Sequence, residues 1–132
     1  MKNLILFLAL SLNCLGASLD TNFVAAIHQI ESSGRLGAVL GDNGKALGPL
    51  QIRKACWQDA IAFDPSIGGT YSDCASLPYA TKVMTAYLTR YAKNAIMSND
   101  YEKLARTWNG GPNGASKSGT NAYWNKVRRR LQ

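Results

Sequence analysis

Few side chains in this sequence can carry acid–base or covalent chemistry, and they are unevenly placed. There are two glutamates, Glu31 and Glu102, one histidine, His28, and three cysteines, Cys14, Cys56 and Cys74. Glu102 falls in the first turn of a predicted helix, where the positive end of the helix dipole stabilises a carboxylate without any catalytic purpose. Glu31 falls at the opposite end of its own helix, after Ile27 and Ile30. There the dipole and the apolar neighbours both disfavour the charged form, so the pKa of Glu31 is expected to rise. A carboxyl group that keeps its proton is what a general acid needs. Cleavage of a glycosidic bond uses such an acid at the leaving oxygen. It usually also needs a second carboxylate that stabilises positive charge, attacks the anomeric carbon or activates water. Asp42, in Asp42-Asn43-Gly44, is the natural second member. Taken singly, each has a bland reading too: a surface glutamate at a helix end, and an aspartate doing turn chemistry.

Other chemistries are poorly supplied. No promising Ser/His/Asp arrangement exists, because His28 lies three residues before Glu31 on the same helix face. A Cys56/His28 thiol hydrolase is the weaker reading, since the thiol has a structural use. No Gly-rich phosphate loop follows a strand. One histidine and three cysteines are too few for a closed zinc site of the usual kind, so neither metal nor cofactor is expected.

The elements that must position these residues follow from periodicity and capping. From Asp20 or Thr21, the residues Phe23, Val24, Ile27 and Ile30 recur at helical spacing, and Gly34 stops the run. Residues 34–48 are Gly-rich and read as a loop or short hairpin. A second helix is expected over residues 49–62, with Ile52, Cys56 and Ile61 inward. The longest is expected over residues 79–97, with a core stripe of Val83, Tyr87, Tyr91 and Ala95. Asn99 or Asp100 caps a fourth helix carrying Leu104, Ala105 and Trp108, and Gly110-Gly111-Pro112 ends it. Tyr123, Trp124, Val127 and Leu131 define a last short helix. The expected fold class is therefore all-α with a small loop or β-hairpin insertion.

The chain has 132 residues, 46% hydrophobic and 17% charged, which excludes collagen-like and disordered classes and favours one domain. A basic start, an apolar run over residues 4–12 and the small residues Gly16-Ala17-Ser18 read as a cleaved secretory signal over residues 1–18, leaving a domain over 19–132. The apolar run covers about half of the roughly 20 residues needed to span a bilayer, so a membrane anchor is the weaker alternative. Cys14 raises a lipidated N-terminus, but Leu12-Asn13 lacks the small residues of lipoprotein signals. Once the signal is removed, Cys56 and Cys74 form an even pair in an exported chain, the arithmetic of one disulfide, worth roughly 3 kcal/mol. Two buried free thiols are the alternative. Lys plus Arg at 15 against Asp plus Glu at 8 gives +7, which favours a polyanionic partner. Export turns that preference from nucleic acid to wall polymer. The basic tail Arg128-Arg129-Arg130 also complements a helix C-terminus.

A set of short motifs in fixed order adds a resemblance. These are Ile30-Glu31-Ser32-Ser33-Gly34, then Asp42, Gly48-Pro49-Leu50-Gln51-Ile52-Arg53, Trp57-Gln58-Asp59, Tyr87 with Arg90-Tyr91-Ala92, and Trp108-Asn109-Gly110-Gly111-Pro112-Asn113-Gly114. Together they resemble the invertebrate-type lysozymes, a family that includes destabilase, over nearly all of the mature chain. The first half is also similar to the wider lysozyme and soluble lytic transglycosylase superfamily. The resemblance implies a lysozyme-like fold, Glu31 as proton donor and Asp42 as second catalytic carboxylate. It places Gln51, Arg53, Trp57, Tyr91, Trp108, Asn109 and Gly110 along a sugar cleft. Trp108 suits either a stacking platform or the core. The family is cysteine-rich, whereas Ala60 and Ala115 stand where cysteines are expected. Its His-Asn-Gly-Gly-Pro begins here with Trp108, so an isopeptidase activity is not carried over.

The expectation is thus a secreted or periplasmic monomeric muramidase, cutting the β-1,4 bond between N-acetylmuramic acid and N-acetylglucosamine in peptidoglycan. A lytic transglycosylase giving 1,6-anhydro products, with Glu31 as both acid and base, is the first alternative. A cationic wall-binding protein without turnover is the second.

Overall fold

The computed structural model describes residues 16–131, so the expected leader lies mostly outside the described residues. Helix α1 spans Thr21–Ser32. Asp20 caps it, its Oδ1 accepting from the backbone N–H groups of Asn22 at 2.8 Å and Phe23 at 3.1 Å. Ser33 ends it in the left-handed conformation, φ 56°, and its N–H returns to the Gln29 carbonyl at 3.0 Å. Of the residues at helical spacing, Phe23 and Ile27 are buried and Val24 and Ile30 half-buried, and Ala26 joins the buried face.

Three two-residue strands follow: β1 (Leu40–Gly41), β2 (Ala46–Leu47) and β3 (Ile52–Arg53). They form one antiparallel sheet in the order β1-β2-β3, with Leu40 opposite Leu47 and Leu47 opposite Ile52. The hairpin insertion is therefore present, with a third strand added. That strand displaces the expected helix start at residue 49, and α2 spans Lys54–Phe63. Backbone conformation is the reason. Gly48 (φ 83°) and Gln51 (φ 50°) are left-handed, so residues 48–51 turn the chain into β3 instead of continuing helically. A Cβ on Gly48 would lie 2.0 Å from the Cys74 carbonyl oxygen, so only glycine permits this approach.

Cys74 belongs to a 3₁₀ turn, Tyr71–Ala75, that leads into the long helix α3 (Leu77–Ser98). Pro78 sits in the first turn of α3, where its missing N–H is harmless, and left-handed Asn99 ends it. Val83, Tyr87 and Ala95 are buried and Tyr91 is half-buried, while Ala92 interrupts the helix with φ −148°. Helix α4 (Tyr101–Gly110) is capped by Asp100, and α5 (Asn121–Arg130) closes the described chain. Helix α3 packs against α2 and α4, and α5 packs against α4 and α1. Phe23, Ile27, Leu50, Ile52, Met84, Leu88, Leu104 and Val127 fill the space between them. Burying each such side chain contributes roughly 1.5–3 kcal/mol. The result is a largely helical domain with a small sheet, as the periodicity predicts, and no described helix is long and apolar enough to cross a membrane.

Candidate active site

Glu31 is the penultimate residue of α1, and the packing of that helix decides its surroundings. Ser32 beside it is buried, and its hydroxyl donates to the Pro49 carbonyl at 2.9 Å. This latches the end of α1 to the turn that precedes β3. The Glu31 carboxyl is half-buried, and its Oε1 accepts from the Tyr123 hydroxyl of α5 at 2.7 Å. Burial raises the Glu31 pKa above the usual 4.5, against a downward pull from the Tyr123 hydrogen bond and the Lys126 charge. The rise predicted from sequence is present, and desolvation leads it. His28 has other work: its Nε2–H donates to the Arg35 carbonyl at 2.8 Å and ties down the loop after α1.

Asp42 stands on the hairpin between β1 and β2. Asn43 (φ 55°) and Gly44 (φ 80°) are both left-handed, and Lys45 N–H donates to the Asp42 carbonyl at 3.1 Å, as in a turn built for Asn-Gly. Asp42 is itself left-handed at φ 51°, which a short polar side chain tolerates. Its carboxylate is exposed and paired with the Arg53 guanidinium on β3. Gln51 stiffens the base of the hairpin, its amide donating to the carbonyls of Val39 at 3.0 Å and Gly48 at 2.9 Å. Gly41 leaves room for it, since a Cβ there would lie 1.9 Å from Gln51 Oε1.

Glu31 and Asp42 line one cleft of ≈ 560 Å³, together with Gln51, Arg53, Trp108 and Asn109. Three residues expected there lie elsewhere. Trp57 turns its indole N–H to the Tyr79 hydroxyl at 2.9 Å and packs 6.1 Å from the Tyr71 ring, bracing α2 against the 3₁₀ turn and α3. Tyr91 donates its hydroxyl to Asp59 at 2.6 Å and lines a separate groove with Arg106 and Pro112. Gly110 sits under Thr120, and its carbonyl accepts from Lys117 at 2.7 Å. Their motif positions are helical, and the side of the helix that meets the cleft belongs to neighbouring residues.

Sequence reasoning missed six of the lining residues as site residues: Ala46, Ile52, Ala55 and Cys56, which supply wall, and Asp59 and Tyr87, which bring titratable groups of their own. Asp59 was visible as the last residue of Trp57-Gln58-Asp59, and it is also paired with Arg90. Tyr87 belongs both to the core stripe of α3 and to the motif set, and it is buried, yet it borders the cleft. Trp108 meets it edge-on at 5.9 Å, and Tyr91 meets it edge-on at 5.0 Å. Trp108 is thus both half-buried and cleft-lining. Tyr123, the partner of Glu31, carried no sequence signal beyond its place on the last helix.

Cys56 and Cys74 are free thiols in this structure, in place of the expected disulfide. Each is pushed up to about 12, first by burial, so neither is a thiolate near neutral pH. With His28 bonded to Arg35, a thiol hydrolase has no activated nucleophile.

No family model matches the chain. The chain is similar to lysozyme 1 of Crassostrea virginica, 36% identical over 103 residues, 76% of this chain, but spans only about half (54%) of that relative's length. It is 31% identical over 116 residues to a lysozyme of Meretrix lusoria, covering 86% of this chain and 92% of that one. A crystal structure of inhibitor-bound lysozyme from Meretrix lusoria superposes with a TM-score of 0.70 at 31% identity, covering 86% of this chain and 92% of that one. Similarity of this extent, in sequence and in fold, places the chain in the invertebrate-type lysozyme family.

Proposed function

We propose that the chain is a secreted muramidase that hydrolyses the β-1,4 bond between N-acetylmuramic acid and N-acetylglucosamine in peptidoglycan. The observation that carries this reading is the pairing of Glu31, with its raised pKa, and Asp42 on one cleft. In the proposed reaction Glu31 protonates the leaving oxygen as the glycosidic bond breaks. Asp42 meets the positive charge that develops at the anomeric carbon, and Glu31, now a carboxylate, takes a proton from the water that completes hydrolysis. Trp108 offers a ring to a sugar face, and Asn109, Gln51 and Arg53 border the same space.

Charge supports a wall polymer as target. Lys126, Arg129 and Arg130 line a second groove between α1 and α5, with Gln29, Ile30 and Ser33 and no acidic residue. With +7 overall, this surface attracts an anionic polymer. Secretion rests on the leader over residues 1–18.

Digestion of purified peptidoglycan, with mass spectrometry of the released muropeptides, tests the reading. Reducing ends carrying added water are expected. Products lighter by one water would replace it with a lytic transglycosylase, and binding without release would leave a wall-binding protein. Replacing Asp42 by Asn separates the first two: hydrolysis should lose on the order of a hundredfold or more in kcat, and a transglycosylase little.

A further inference from the structure

We propose that Tyr123 is the positioning residue for the acid: its hydroxyl, donated to Oε1 of Glu31, makes Oε2 the oxygen that carries the proton delivered into the cleft. Its kinetic consequence rests on the muramidase reading, and its structural consequence does not. The two residues lie 92 positions apart, and the 2.7 Å contact joins the end of α1 to the first turns of α5. The Tyr123 hydroxyl titrates well above the usual range, pushed up first by burial and then by the Glu31 charge and their hydrogen bond. The phenol therefore keeps its proton and is the donor in both states of Glu31. When Glu31 is protonated, Oε1 already receives a hydrogen and is the carbonyl oxygen, so the acidic proton sits on Oε2.

In the transfer step the Oε2–H bond breaks as an O–H bond forms on the leaving oxygen. The glycosidic electron pair stays with that oxygen, and negative charge appears on Glu31. The same tyrosine hydroxyl then stabilises the new carboxylate without moving, as a preorganised donor should. The charged and titratable groups around this carboxyl are Tyr123 and Lys126 on α5, Asp42 on the hairpin turn, Arg53 on β3, Cys56 and Asp59 on α2, and Tyr87 on α3. On α1 itself, His28 is bonded to Arg35. Among the described residues only Tyr123 donates a side-chain hydrogen bond to Glu31.

The test uses the mature chain with carbon-13 in its glutamate carboxyls and two changes at one position. Tyr123→Phe keeps the ring and removes the donor. It should lower kcat on the order of tenfold with KM held within about twofold. It should also move both the alkaline limb of kcat/KM and the Glu31 carboxyl titration upward, because a bond favouring the carboxylate is lost. Incorporating 3-fluorotyrosine at position 123 makes the donor stronger while keeping every contact, and should move both titrations downward. Glu31 titrating at one pH in all three proteins would overturn the proposal, as would a Phe variant with full kcat. If the Phe variant does not fold, the fluorotyrosine chain alone decides. If the chain releases no muropeptides, the muramidase reading fails while the carbon titration still decides the role of Tyr123.

Discussion

Glu31 is subject to opposed influences: burial raises its pKa, while Tyr123 and Lys126 lower it. Burial wins, and this sets two expectations of opposite benefit. Glu31→Gln removes the proposed general acid, so kcat should fall about 10²–10⁴-fold, measured on purified peptidoglycan. The same variant should be the more heat-stable protein at pH 7. A carboxyl whose folded-state pKa is raised contributes stability that is fully present below its ordinary value, near 4.5, and lost as pH rises through the folded value. Glutamine has no such loss. Thermal unfolding across pH should therefore show the variant's advantage appear above the ordinary glutamate range and level off once Glu31 is ionised. An advantage independent of pH would contradict burial as the dominant cause.

At the scale of elements, the two candidate carboxylates belong to different pieces of structure, a helix end and a hairpin turn. What joins them is the turn over residues 48–51, which follows the hairpin. The Ser32 hydroxyl latches α1 to Pro49, and Gln51 holds the base of the hairpin. Ser32→Ala leaves the Pro49 carbonyl buried without its donor, and should cost roughly 1–3 kcal/mol in urea unfolding. Its activity should fall as well, since the hairpin that carries Asp42 loosens against the acid. Gly48→Ala should cost more than an ordinary turn substitution. The left-handed backbone is strained for alanine, and the Cys74 carbonyl, being backbone, cannot yield cheaply. A Gly48→Ala protein as stable as the parent would show that the 3₁₀ turn moves freely against the sheet.

At the scale of the whole molecule, a basic groove lies beside the candidate cleft, and Lys126 lines the groove while its charge also lowers the Glu31 pKa. The acid-free groove of Lys126, Arg129 and Arg130 lies between α1 and α5, and Glu31 and Asp42 line the other cleft. Attraction to an anionic wall is long-range and should weaken as the screening length shrinks from about 30 Å at 0.01 M salt to about 8 Å at 0.15 M. Hydrolysis of intact cell walls should therefore fall with added salt over that range, and turnover of short uncharged chitin-type oligosaccharides much less. Equal salt sensitivity on the two substrates would remove the recruiting role of charge.

Local order was legible in the sequence because it is made by near neighbours. The Asp20 cap, the Asn43-Gly44 turn, the Asp100 cap and the apolar stripe of α3 each depend on residues within a few positions of one another. The identities of Glu31 and Asp42 as the candidate pair were legible for a similar reason, since a helix end and an Asn-Gly turn are local features. The motif strings also marked Gln51, Arg53, Trp108 and Asn109, which the structure brings to the same cleft. Contacts across the chain were not legible. A helical motif does not state which of its sides meets the cleft, so Trp57, Tyr91 and Gly110 were expected there, while Asp59 and Tyr87 line it. The start of α2 shifted because Ile52 and Arg53 found a strand partner in β2. The phenol on Glu31 comes from 92 residues away. Composition and spacing determined that this chain offers one raised-pKa acid and one turn carboxylate; only the packing of α5 on α1, and the bond from Ser32 to the Pro49 turn, decided how they are held.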